Sequence, residues 1–122
     1  MKNRNEQREA FGLQFVPSQN KMFIIMRTTS EYIHLLKQFK ASYAETYGIK
    51  SLGLFGSAAR GELHEGSDVD VVYEGEPNIL LRSRMKTQLE ALFGCRVDVV
   101  CYCKQLADTA FGKSIREDLI MV

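Results

Sequence analysis

Apolar positions follow two periods along this chain. Tyr32, Leu35, Leu36, Phe39 and Tyr43 recur every three or four residues, the spacing of one helix face. Thr28, Thr29 and Ser30 offer hydroxyl caps where that helix begins, and Gly48 fits its C-terminal stop. A second stretch, Ile79 to Phe93, sets Leu80, Leu81, Met85, Leu89 and Leu92 on one side and Arg82, Arg84 and Lys86 on the other. Its apolar residues should pack on a core and its charges form a solvated face. Gly75 and Pro77 break the chain before this helix, and Gly94 ends it. The remaining apolar runs are short and rich in valine, as in strands. They are Ile49 to Phe55, the stretch SDVDVVYE at residues 67–74, and Arg96 to Tyr102. Lys104 to Val122 predicts a final helix. The fold class is therefore α/β (α+β), a small mixed sheet flanked by helices.

Residues 1–27 lie outside this pattern. They are polar and nonperiodic as far as about residue 20, followed by the apolar run MFIIM at residues 22–26. Such a composition buries too little apolar surface to offset the entropy of ordering, so the expectation is an N-terminal extension over 1–27, disordered at least to about residue 20, preceding one domain over 28–122.

The chemistry gathers between the first two strands. Gly56 and Ser57 stand at the sharp exit of one strand, and after ten intervening residues Asp68 and Asp70 flank Val69 in the next. Alternate residues of a strand share a face, which predicts that both carboxylates point the same way. Asp98, between Val97 and Val99, places a third acid on a third strand. Were these strands neighbours, roughly 4.8 Å apart, the three carboxylates could bracket two ions about 4 Å apart. Carboxylate oxygens suit magnesium or manganese better than zinc. Without a cation, two such charges at roughly 4 Å repel by about 4 kcal/mol at an effective dielectric near 20. Gly56 lets a ligand approach the backbone, and Ser57 brings a hydroxyl and an amide to the start of a short helix, a cradle for phosphate. Arg60 either contacts that phosphate or braces the loop against Glu62 or Glu65. Taken singly, a Gly-Ser is a common turn and an Asp-x-Asp an ordinary solvated strand face. Their conjunction with the third acid points to metal-dependent phosphate chemistry.

GSAARGE, the spacing to SDVDVV and the later VDVV resemble the minimal nucleotidyltransferases of the DNA polymerase beta superfamily. The likeness covers roughly residues 28–122. It implies that Gly56 and Ser57 hold a nucleoside triphosphate. It also implies that Asp68 and Asp70 bind two magnesium ions and that Asp98 is a third ligand and activates the acceptor hydroxyl. The implied reaction moves AMP from ATP to a hydroxyl, in an antitoxin that attaches it to a tyrosine of a helical HEPN-type toxin. Two other readings remain open: a nucleotide-binding antitoxin that acts by contact alone, and an adenylyltransferase acting on a small molecule such as an antibiotic.

Composition narrows the setting. The chain has 122 residues, 45% of them hydrophobic, and 16 basic against 15 acidic residues give a net charge of +1. That supports one domain and supplies no broad basic surface for nucleic acid. No stretch reaches the roughly 18 apolar residues of a membrane span, and the polar start lacks the apolar core of a secretory signal. A cytoplasmic protein is expected. The odd cysteine count, Cys95, Cys101 and Cys103, argues against a disulfide framework. His64 is read as a solvated loop residue and His34 as a helix surface residue.

Overall fold

The computed structural model describes residues 13–16, 21–24, 27–64 and 66–122. Two strands, β1 (Leu13–Val16) and β2 (Lys21–Ile24), pair antiparallel with Leu13 opposite Ile24. The expectation of an unstructured arm falls mostly outside the described residues; Leu13–Val16, within that span, is a paired strand.

Helix α1 spans Thr29–Tyr47. Thr28 caps it in a reciprocal box, its hydroxyl accepting from the Glu31 amide while the Glu31 carboxylate accepts from the Thr28 amide, so two orphan donors of the first turn are satisfied. Gly48 ends the helix at φ +64° and bonds back to the carbonyls of Ala44 and Glu45. Strand β3 (Ser51–Phe55) leads into the single-turn helix α2 (Gly56–Arg60), and β4 (Val69–Glu74) follows. Helix α3 (Ile79–Phe93) keeps the bounds read from the sequence, with the Asn78 side chain accepting from the Leu80 and Leu81 amides. Strand β5 is Val97–Cys101.

The sheet runs β5-β4-β3-β6, with β4 and β5 parallel and the other pairs antiparallel. One face carries the main core, where Tyr32, Leu36 and Phe39 of α1 and Met85, Leu89 and Phe93 of α3 pack on Leu52, Leu54, Val69, Val71 and Val97. The other face holds a smaller cluster of Phe55, Val72 and Ile115. Strand alternation creates this division, since Val69, Val71 and Tyr73 point to one side and Asp70 and Val72 to the other.

Two expectations are corrected. Leu80 is 69% exposed and does not pack on the core. One residue advances a helix by about 100°, which takes Leu80 off the stripe of Leu81, Met85, Leu89 and Phe93. The final segment is not one helix. It divides into α4 (Lys104–Ala107), α5 (Ala110–Asp118) and β6 (Ile120–Met121). Thr109 caps α5 by accepting from the Gly112 amide, and a Cβ on Gly112 would collide with the Leu106 carbonyl oxygen. Leu119 turns extended at φ −62°, ψ 128°. Ile120 and Met121 then pair with Leu54 and Gly53.

Gly53 is the contact point of that edge. A Cβ there would lie 2.7 Å from Leu119 Cδ1 and 3.0 Å from the Ile120 carbonyl oxygen. Gly53→Ala should cost about 1–3 kcal/mol, the usual scale of overpacking, and speed amide exchange at Met121. Thermal melts and hydrogen exchange check this; an unchanged melt would show that β6 yields freely.

Candidate active site

The parallel pairing of β4 with β5 sets Asp70 directly opposite Asp98. Both side chains leave the sheet on the face opposite the main core, Asp70 half-buried and Asp98 exposed on the edge strand. Asp70 is also opposite Phe55, the last residue of β3. The chain turns there through Gly56 at φ +70°, a conformation that L side chains resist. A Cβ on Gly56 would run into the Asp70 carboxylate oxygen Oδ2. Glycine at the turn therefore meets two demands at once, its backbone angle and the seat of an acid. Ser57 follows, half-buried in α2, and its carbonyl accepts from the Glu62 amide.

Asp68 sits one residue before β4 rather than within it. Its Oδ1 forms an ion pair with Arg96 Nε at 3.2 Å, and both side chains are well exposed. Arg96 is anchored in turn by Nη2 donating to the Gly66 carbonyl. The three acids expected to share one site are thus arranged as a facing pair, Asp70 and Asp98, and a neighbour engaged elsewhere. Among the described residues no three acidic, histidine or cysteine side chains converge closely enough to hold an ion as they stand. The donor set nonetheless fits a hard divalent cation, since all three ligands would be carboxylates. An exposed ion pair such as Asp68 with Arg96 is worth at most about 1 kcal/mol, a small cost to release the third.

Electrostatics single out Asp70. Its pKa is pushed up to about 6, first by burial, then by the charges of Asp98 and Asp68, with Arg60 opposing. Arg60 does not stand apart. Its Nε donates to Glu62 at 3.0 Å and its Nη1 to Asp118 at 2.6 Å. The brace against Glu62 is present; Glu65 lies outside the described residues. Asp118, 58 residues away in the chain, gave no signal in the sequence because nothing in the local pattern links it to α2.

Histidines and cysteines take no part in this constellation. His34 is exposed on α1 and meets Gln38 at 3.2 Å, and His64 is exposed in its loop. The three cysteines are unbridged and half-buried. Among the described residues no helix is long and apolar enough to cross a membrane.

The raised pKa carries a sign. A carboxyl whose folded value, about 6, exceeds its ordinary 3.8 destabilises the fold in its ionised form. The penalty is absent below about pH 4, grows between about pH 4 and 6, and is complete above about pH 7. Asp70→Asn, which cannot ionise, should therefore be more stable than the parent chain at pH 8 without metal. The gain should be about 1–2 kcal/mol after allowing for solvent screening, vanishing near pH 4. Paired melts across that range check the sign; a parent chain that is the more stable at pH 8 would contradict it.

Comparison with known proteins bears on the family and the fold. The nucleotidyltransferase domain model matches residues 36–122. The protein adenylyltransferase MntA of Thermococcus cleftensis is 34% identical over 99 residues, covering 80% of this chain and 98% of that protein. A solved structure described as a minimal nucleotidyltransferase superposes with TM-score 0.59 at 28% identity, covering 77% of this chain and 95% of that one. The toxin–antitoxin structure of MntA with HpeT shares the fold at TM-score 0.55 and 18% identity, over 78% of this chain and 72% of that one. With its Gly-Ser turn seated on paired strand aspartates, the chain belongs to the nucleotidyltransferase domain family and is an enzyme of that type.

Proposed function

We propose that the chain is a protein adenylyltransferase that moves AMP from ATP to a tyrosine hydroxyl of a HEPN-type toxin, acting as its antitoxin. The observation that carries this reading is the register of Asp70 with Asp98 beside a glycine turn pressed on Asp70. The adenylyltransferase name of the Thermococcus relative and the toxin partner in the MntA structure's description support the donor and the partner.

In the transfer, the acceptor oxygen forms a bond to the α-phosphorus while the bond from that phosphorus to the β-phosphate bridging oxygen breaks. Pyrophosphate leaves with the electron pair. Asp98, on an edge strand and exposed, is placed where a macromolecular acceptor can reach it, and it orients the hydroxyl and takes its proton. Asp70 and Asp98, with Asp68 once released from Arg96, would hold magnesium, or manganese in its place. When bound, the metal supplies neutralisation of the triphosphate and a lowered pKa for the attacking hydroxyl. Gly56 admits the triphosphate to the backbone, and Ser57 adds its hydroxyl and amide. Arg60 offers charge-assisted hydrogen bonds to the same phosphates.

Binding and turnover separate the residues. Asp98→Asn should keep more ATP affinity than Asp70→Asn while losing transfer by about 10² to 10⁴, the scale of a general base. Calorimetry with magnesium and ATP, beside transfer of label from ATP to the cognate toxin, measures both. Transfer by Asp98→Asn at the parent rate would remove Asp98 from the chemistry. A parent chain that silences the toxin without transfer would leave an antitoxin acting by contact.

A further inference from the structure

Arg60 is bound by two acids, and only one of them belongs to its own loop. A guanidinium carries five N–H donors in one plane. Glu62 takes the donor on Nε and Asp118 takes one on Nη1, which fixes that plane and leaves both Nη2 hydrogens and the second Nη1 hydrogen. These have no further partner among the described residues.

Asp118 reaches this place because the second face of the sheet holds α5 firmly. Ile115, fully buried, packs with Phe55 and Val72, and Phe111 meets Phe55 edge-on at 6.1 Å between ring centres. Gly112 abuts the Leu106 carbonyl, and β6 ties the following residues to β3. The Asp118 side chain is about four-fifths covered, against 42% exposure for Arg60. The acid is thus the better fixed of the pair, and the arginine is oriented by it. A partly exposed pair of this kind adds little to stability, while a pre-set guanidinium spends less entropy on each bond to an anion.

Resting on the nucleotidyltransferase reading above, we propose that Asp118 is a positioning residue for nucleotide binding. With Glu62 it sets the Arg60 guanidinium so that the remaining N–H donors serve the phosphates of a nucleotide held beside Asp70. It touches neither nucleotide nor acceptor, and it acts through Arg60 alone.

The test is the affinity of the full chain for magnesium with a non-hydrolysable ATP analogue, measured by calorimetry beside thermal melts. Arg60→Ala should weaken binding about tenfold or more, and Asp118→Ala about five- to tenfold with a melting point within about 3 °C of the parent. Asp118→Asn, which retains an acceptor oxygen, should recover most of that loss. The double variant should bind no more weakly than Arg60→Ala, since both changes remove one function. Multiplying losses in the double variant, or unchanged affinity in Asp118→Ala, would overturn the proposal and leave Asp118 as a structural staple of α5. Should Asp118→Ala fail to fold, Arg60→Lys carries the test, because lysine keeps the charge without the planar fork. A loss close to that of Arg60→Ala supports orientation, and parent affinity overturns it. If the parent chain itself binds no analogue, the nucleotide reading of the site fails together with this one, and that outcome appears before any variant is made.

Discussion

Asp70 and Asp98 face one another across two parallel strands, and much of this fold is arranged around that pairing of like charges. Burial of Asp70, with the charges of Asp98 and Asp68 added to it, pushes its pKa up to about 6, a cost that counts against the small net stability of such a domain. The parallel register leaves the pair no room to slip apart, because moving one strand by a residue would turn Val97 and Val99 out of the core. The seat of Asp70 against Gly56 closes off another retreat. The chain holds the repulsion in place and lets burial raise the Asp70 pKa.

The rest of the molecule supplies the rigidity this requires. Helices α1 and α3 bury Tyr32, Leu36, Met85, Leu89 and Phe93 on one side of the sheet, with Tyr32 and Phe93 meeting edge-on at 5.2 Å. Those contacts fix β4 and β5 from behind and keep the carboxylate face clear of the main core. Across the sheet, α5 and β6 brace β3, the strand that delivers the glycine turn. Arg60 joins the two ends of this arrangement, closing α2 while bonded to the end of α5. Fold and site are coupled through few residues.

What the sequence disclosed follows from how local each signal is. Thr28, Gly48 and Gly94 act within a turn of the helices they bound, and those boundaries were legible. The Gly-Ser turn and the placing of Asp70 and Asp98 on strands were legible from spacing and strand alternation, whereas Asp68 falls one residue before β4 and turns to Arg96. Leu80 misled because it neighbours a true core position and has the same character as Leu81. The break at Gly112 depends on the Leu106 carbonyl brought against it, and β6 has only two residues, too short for any periodicity. The Arg96 partner of Asp68 and the Asp118 partner of Arg60 arise from packing between distant segments. Charges of either sign are plentiful in this chain, so nothing in the sequence selects those two pairs.

The Asp70 carboxyl, raised first by burial and then by the charges of Asp98 and Asp68, reports on the place where the proposed cation and nucleotide would bind. Its titration can be followed by carbon NMR, first without metal and then with magnesium and a non-hydrolysable ATP analogue. The metal-free carboxyl should titrate near 6, and the bound cation should pull it below its ordinary value, because a nearby positive charge favours the ionised form. An Asp70 that titrates near its ordinary value without metal, or one unmoved by magnesium and the analogue, would contradict this account.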